Sequence, residues 1–333
     1  MKISASVYSD KNRSLKETIN DLVLHQVDLL HIDCNDDPKV FEDIKKIKSW
    51  CNLPIDLHLI TNEPKKYAEL LKETPVDYVT YQFEDIQSRE DIPKDIPGEQ
   101  GLAIVTPTAV DVFDEFKEFD FLLLMATTPG ESGGKFNAQN FNKIREFKKK
   151  FPNKNVHVDG GVNGEVSFIL RNLGVHASVS GSFLFNAPSV GQALMDLTKR
   201  EIKSSFKLKD FMIPRNELPI IDFNELTLEK ALKQIESGNL GVSFVEDNDE
   251  FIGIISNADI RRGLIKYINQ IYDMPMKEII NRSPVTIADE ANVNDMLEIV
   301  REQTFPVSYL PVLDKEGKSV GIISFVNLIK GEI

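Results

Sequence analysis

Short apolar runs of strand length recur eight times through the first 200 residues, at 3–7, 29–33, 55–59, 78–81, 101–105, 121–125, 156–159 and 177–180. They are rich in Val, Ile, Leu and aromatic residues, which suit a pleated, buried surface. Charged stretches with helical spacing separate most of them, among them 14–25, 39–50, 64–74, 111–119, 140–151 and 164–173. Ser14 with Glu17 three residues later reads as a capping box that opens the first helix. Eight strand–helix units in about 200 residues predict a compact (β/α)8 TIM barrel. The competing arrangement is an open doubly wound sheet, but the first strand-to-helix turn, 8–14, lacks the glycine fingerprint that arrangement uses.

The pattern changes after residue 197. A basic, polar connector follows, and beyond it the chain repeats itself. Gly253-Ile254-Ile255-Ser256-Asn257-Ala258-Asp259-Ile260 returns as Gly321-Ile322-Ile323-Ser324-Phe325-Val326-Asn327-Leu328. The same order of elements precedes each copy: a helix (227–238, 292–303), a strand (241–246, 308–314) and a turn. The expected organisation is a barrel over 1–198, a linker over 199–207 and a twofold βαββα pair over 208–333, with repeats at 208–268 and 273–331.

Charge and cysteine content exclude several classes of function. The formal net charge is −13, and both parts are acidic, so neither carries the basic footprint of a nucleic-acid or anionic-membrane binder. An anionic substrate therefore needs local capture, by backbone N–H groups or a metal. Cys34 and Cys51 make no disulfide framework, which fits a reduced, cytoplasmic setting. The N-terminal segment turns polar at once, unlike a signal peptide, and runs such as 121–126 are too short to span a membrane.

Barrel sites lie at the C-terminal ends of the strands. Strand two ends His31-Ile32-Asp33, strand three ends His58-Leu59, and strand seven ends Val158-Asp159-Gly160-Gly161. Residues two apart share a face of a strand, so His31 and Asp33 point the same way. A single strand histidine is more often a hydrogen-bonded core residue, and a lone strand-end Asp more often a cap. Two His and two Asp at the ends of three strands instead suit a divalent metal site with an open position. His25, His157 and His176 read as structural, with His157 expected to face away from Asp159. The loop 128–134, with Gly130 and Gly133, Gly160-Gly161 and Gly181-Ser182 follow strands six, seven and eight, where barrels often hold phosphate.

Residues 1 to about 190 resemble the ribulose-phosphate 3-epimerase family. The match lies in Ser6, His31-Ile32-Asp33, Asp56-Leu57-His58-Leu59, Met125…Pro129-Gly130…Gly133 and Val158-Asp159-Gly160-Gly161-Val162, in the family's order and at compatible spacing. The resemblance implies that His31, Asp33, His58 and Asp159 hold one divalent ion (Zn, Fe, Mn or Co). It implies that Asp33 and Asp159 are the acid–base pair of a 3-epimerase acting on ribulose 5-phosphate, xylulose 5-phosphate or a related ketose phosphate. Ser6, Met125, Gly130, Gly133, Gly160, Gly161, Gly181 and Ser182 are the expected substrate shell. The chain departs from the family in that shell. Asn35-Asp36-Asp37 replaces Met-Asp-Gly, Gln82 stands where His is common, Ile60 replaces Met, and the 129–134 loop differs from Pro-Gly-Phe-Gly-Gly-Gln.

The C-terminal repeat resembles a tandem pair of cystathionine-β-synthase (CBS) domains, which implies adenine-nucleotide sensing or oligomerisation. Ser256 and Asp259 are the expected nucleotide-binding residues, Asn327 being a poorer ribose acceptor than Asp259. Both resemblances imply a homo-oligomer. Two other functions compete. One is a non-catalytic nucleotide-sensing scaffold that retains the barrel. The other is a nucleotide dehydrogenase, which needs a nucleophilic loop cysteine that neither Cys34 nor Cys51 supplies.

Overall fold

Eight parallel strands close into a barrel in sequence order, β1 pairing with β8. They are β1 Lys2–Ser6, β2 Leu29–Asn35, β3 Ile55–Ile60, β4 Tyr78–Gln82, β5 Glu99–Val105, β6 Phe121–Met125, β7 Asn155–Asp159 and β8 Ala177–Ser180. This computed structural model describes residues 1–127, 133–199 and 204–326, and they form two units, 1–199 and 204–326. The (β/α)8 expectation holds for the first unit and the paired βαββα expectation for the second.

The helices follow from capping and apolar spacing. In α1 (Leu15–Leu24), the Ser14 hydroxyl accepts the Glu17 N–H, and the Glu17 carboxylate accepts the Ser14 N–H at 2.9 Å. This is the capping box expected from the sequence. Helix α2 (Val40–Trp50) buries Phe41, Ile44 and Ile47, one face of a 3.6-residue period. Helices α3 (Ala68–Glu73), α4 (Gln139–Lys150), α5 (Gly164–Asn172), α6 (Ser182–Phe185) and α7 (Val190–Thr198) complete the unit.

Two expected helices are corrected. The 64–74 stretch begins as a 3-10 turn, Pro64–Tyr67, and only then becomes α3. The 111–119 stretch is a 3-10 helix, Val110–Phe116. Its buried residues Val110, Phe113 and Phe116 are spaced by three, which lines up one face of a three-residue turn.

The second unit holds two small sheets. One runs β10 (Ile220–Asp222), β11 (Val242–Asp247), β12 (Glu250–Ser256). The other runs β13 (Ile287–Ala288), β14 (Tyr309–Leu313), β15 (Ser319–Ser324), β9 (Ile213–Pro214). Helices α8 (Leu228–Gly238), α9 (Asn257–Lys266) and α10 (Val293–Glu302) accompany them. The repeat extends to its irregularities. Each hairpin carries a register shift opposite its glycine, after Val245 facing Gly253 and after Val312 facing Gly321.

Those glycines are required by close approach. A Cβ on Gly253 would lie 2.3 Å from the Asn281 carbonyl oxygen, and one on Gly321 would lie 2.6 Å from that of Ile213. A buried Glu246 ties the two sheets together. Arg215 donates to both of its carboxylate oxygens, Nη2 to Oε2 at 2.7 Å, and also to the Ser319 hydroxyl at 2.8 Å.

Gly317 has a left-handed φ of +81° but nothing within 4 Å of its missing Cβ. Gly317→Ala should therefore cost only the conformational penalty, about 1 kcal/mol. Gly253→Ala, with φ +151° and a backbone clash, should cost more than about 2 kcal/mol. Urea midpoints of the two variants check the difference, and equal values would remove the close-approach argument.

Candidate metal centre

The register of the barrel sets the site. In β2 and β3, His31 lies beside Asp56 and Asp33 beside His58, while β6 and β7 pair Met125 with Asp159. Met125 and Asp159 end their strands, Asp33 and His58 lie in the C-terminal halves of theirs, and His31 and Asp56 sit one inward step deeper. The structure thus brings four sequence-predicted residues, His31, Asp33, His58 and Asp159, to one place. One donor atom from each lies within 4.8 Å of every other.

The contacts identify the donor atoms. His31 Nε2 is 3.3 Å from Asp33 Oδ1 and 3.6 Å from Asp159 Oδ2. His58 Nδ1 is 3.3 Å from the same Asp33 oxygen. Donors on bonds of about 2.1 Å in a tetrahedral site stand roughly 3.4 Å apart, so these separations and this N2O2 chemistry fit a divalent ion.

Each imidazole is held from behind. His31 Nδ1 lies 2.9 Å from Asp56 Oδ2, which also accepts the Ser4 hydroxyl at 3.1 Å. A carboxylate acceptor takes the Nδ1 proton and leaves the Nε2 lone pair facing the site. His58 Nε2 lies 2.9 Å from Gln82 Oε1. Sequence reading missed Asp56 as a functional residue. The signal was present: Asp56 sits two before His58 on β3 and so shares its inward face.

Electrostatics separate the two site carboxylates. Burial opposes the charge of Asp33, but His31 and His58 outweigh it and hold its pKa well below the carboxylate range. Burial pushes Asp159 up to about 6. Burial also opposes a charge on His31, yet Asp56 and Asp33 overcome it and raise its pKa well above that of an ordinary imidazole.

His157 requires a correction. It does not face away from Asp159. Two residues apart on β7, they share the inward face, and His157 lies within the barrel, stacked on Phe121 with ring centroids 4.2 Å apart. Burial there drives its pKa down to about 3.

A cleft of about 620 Å³ opens over the tetrad. Ser6, Asp33, Gly133, Asp159, Gly160, Gly161, Gly181 and Ser182 line it. Met125 does not; it is buried with Phe121, Leu123 and Val105 in the barrel interior. Gly130 lies outside the described residues. Tyr8, Ser9 and Lys11, in the loop after β1, also line the cleft and were missed, because nothing in that loop marks them chemically. The Gly160-Gly161 turn has its own packing cause. Both glycines have positive φ, and Cβ atoms there would lie 2.7 Å from Thr127 N and 2.2 Å from Phe136 N.

In the second unit, a cleft of about 390 Å³ is lined from both repeats, by Ser256 and Asn257 as well as Pro306 and Tyr309. Asp259 does not line it. Its carboxylate accepts the Ser256 N–H at 2.8 Å and the hydroxyl at 2.5 Å, capping α9, and pairs with Arg262. No helix among the described residues is long and apolar enough to cross a membrane.

The fold and the donor set define a (β/α)8-barrel protein with four converging side chains fit to hold a divalent ion toward the open end of the barrel. Residues 2–185 match the ribulose-phosphate 3-epimerase family model, and 208–266 and 276–332 match the CBS domain. The ribulose-phosphate 3-epimerase of Schizosaccharomyces pombe is 24% identical over 216 residues, covering 61% of this chain and 95% of that protein. That of Bacillus subtilis is 26% identical over 215 residues, covering 59% and 98%. The crystal structure of CBSX2 in complex with AMP is 23% identical with a TM-score of 0.32, covering 38% of this chain and 97% of that one. The chain belongs to the ribulose-phosphate 3-epimerase family, carbohydrate epimerases of the isomerase class, and carries a tandem CBS pair.

Asp56→Asn keeps the shape beside His31 but replaces an acceptor-only carboxylate with an amide that also donates. Divalent-metal affinity, read by competition with a chromophoric chelator, should fall about 10–100-fold.

Proposed function

We propose that this chain is a metal-dependent 3-epimerase of a phosphorylated ketose, ribulose 5-phosphate/xylulose 5-phosphate or a close relative. The observation that carries this reading is the gathering of His31, Asp33, His58 and Asp159 within 4.8 Å at the cleft floor.

Inverting a carbon beside a ketone requires one group to take its proton and another to return one on the opposite face. Asp33 and Asp159 come from β2 and β7, with β8 and β1 between them on the rim, and both line the cleft. Each turns one oxygen toward the imidazoles and has a second to work with. One carboxylate removes the C3 proton and leaves an enediolate; the other, protonated, returns a proton from across the cleft. The roles exchange for the reverse reaction. A divalent ion held by the four residues supplies Lewis-acid stabilisation of the developing oxyanion. Lys11 and the glycine turns at 160–161 and 181–182 take the phosphate, supplying local attraction in a chain of net charge −13.

The domain limits that go with this reading are 1–198 and 208–333. The CBS pair takes an adenine nucleotide in the cleft beside Ser256, with Asp259 holding the Ser256 turn in shape. Calorimetric titration of the full chain with AMP and ATP checks that part.

The reaction is tested by deuterium uptake from solvent at C3 of D-ribulose 5-phosphate and related ketose phosphates. Exchange should stop with a chelator and return with added metal. Asp33→Asn and Asp159→Asn should each lower it about 10²–10⁴-fold with an unchanged circular dichroism spectrum. No exchange with any ketose phosphate in the presence of divalent metals would reject the epimerase and leave a non-catalytic, nucleotide-binding barrel.

A further inference from the structure

His58 is not fixed by a carboxylate, as His31 is, but by an amide, and an amide can be turned either way round. What decides its direction lies further out. Gln82 Nε2 donates to Glu84 Oε2, and Glu84 Oε1 accepts the Val105 backbone N–H at 3.0 Å together with the Thr108 hydroxyl. Gln82 is buried, whereas Glu84 lies at the surface.

The direction of each bond to Glu84 is forced. A backbone N–H only donates, and a carboxylate only accepts. Glu84 therefore presents an acceptor to Gln82, and Gln82 must offer its NH2 in return. With the NH2 committed, the Gln82 carbonyl oxygen faces His58 Nε2, 2.9 Å away. Two acceptors then compete for the ring proton, Gln82 Oε1 at 2.9 Å from Nε2 and Asp33 Oδ1 at 3.3 Å from Nδ1. The shorter contact favours Nε2–H and leaves the lone pair of His58 on Nδ1, the nitrogen turned to the tetrad.

We propose that Glu84 is a positioning residue of the metal centre: acting through Gln82, it selects the ring nitrogen that His58 offers to the ion. The proposal deepens the metal-site reading above, and its first readout, the tautomer in metal-free protein, does not depend on that reading.

Glu84→Gln is nearly isosteric and reverses the direction of the chain. The new carbonyl oxygen stays on the Val105 N–H, so the new NH2 faces Gln82. Gln82 then turns its own carbonyl toward residue 84 and its NH2 toward His58 Nε2, and the ring proton moves to Nδ1. Gln82→Glu combined with Glu84→Gln restores the direction, because the carboxylate at 82 accepts from both sides. Thr108→Val removes a bond to the same Glu84 oxygen without changing any direction.

Long-range proton–nitrogen NMR of the chelator-treated full chain reads the tautomer, at a pH high enough that His58 carries one ring proton. A His58→Gln variant identifies its signals. Wild type and Thr108→Val should show Nε2–H, Glu84→Gln should show Nδ1–H, and the double variant should return to Nε2–H. Zinc affinity, read by chelator competition, should fall about 10–100-fold in Glu84→Gln and recover in the double variant. A purely structural role for Glu84 predicts no recovery. Nδ1–H in the wild type, an unchanged tautomer in Glu84→Gln, or a double variant no better than the single one would each overturn the proposal. If Glu84→Gln does not fold, the wild-type and double-variant tautomers still decide. Failure of the wild type to bind zinc would count against the metal reading and leave the tautomer result standing.

Discussion

The pairing of Asp56 with His31 inside the barrel is the constraint on which the site depends. Both side chains are almost wholly removed from solvent, where an unpaired charge or an unsatisfied polar group costs several kcal/mol. Barrel interiors are ordinarily filled by layers of branched apolar residues. Here that filling is concentrated along β5 and β6, where Ala103, Val105, Phe121, Leu123 and Met125 pack together with Leu29 and Tyr78, and His157 stacks on the Phe121 ring. Along β1 to β4 the interior instead carries a polar layer, Ser4, His31, Asp56, His58 and Gln82, all buried. Such a layer is tolerable because hydrogen bonds run from strand to strand within it, and the same bonds fix the rotamers of the groups that face the cleft. The donors therefore sit on rigid strands, with the supports of the two imidazoles on the adjoining strand, which is the arrangement that gives a site its precision.

In the second unit, duplication is visible in the physics of single residues. Both copies keep a glycine where another backbone crosses within van der Waals distance, and both shift register at the hairpin position facing it. The Arg215–Glu246–Ser319 cluster does what neither copy does alone, since Arg215 and Glu246 bond each other and both bond Ser319 on β15. A buried carboxylate without that guanidinium would be strongly destabilising. The asymmetric cluster thus joins two sheets that the sequence repeat makes nearly equivalent.

Much of this was legible from the chain itself, for reasons that can be named. The eight strands were read because burial on both faces makes each a continuous apolar run, and the Ser14–Glu17 capping box because it is a local two-residue signal. His31, Asp33, His58 and Asp159 were found because strand ends and a two-residue period place them. Asp56 was passed over because a carboxylate within a strand gives no sign of its partner, which lies 25 residues away across β2 and β3. Glu84 was missed because nothing local joins Gln82, at the end of β4, to Val105 and Thr108, at the end of β5 and just beyond it, which Glu84 links. The period-two rule applied equally to His157, whose inward position it gives correctly. The role expected of Asp259 met a competing local demand, since a Ser-x-x-Asp sequence at a helix start is satisfied by capping. The loop after β1 was illegible because its contribution to the cleft rests on proximity alone.

The two imidazoles meet the site through opposite nitrogens, Nε2 of His31 and Nδ1 of His58, and register explains why. Asp56 is the direct cross-strand neighbour of His31, close enough for a short side chain to reach Nδ1. The direct neighbour of His58 is Thr80, so its partner comes from Gln82, two residues on, whose longer side chain reaches the far nitrogen Nε2. The partners also differ in charge. An anion behind His31 strengthens its remaining lone pair, whereas a neutral amide behind His58 does so less. Asp33 and Asp159 bring two negative charges to the donor set and Asp56 a third beside it, in a protein that is already acidic overall. A dication is thus the species this rim is built to attract. On the proposed function, a phosphorylated sugar, repelled by the molecule as a whole, would gain its local attraction from that cation, from Lys11 and from the glycine turns of the same cleft.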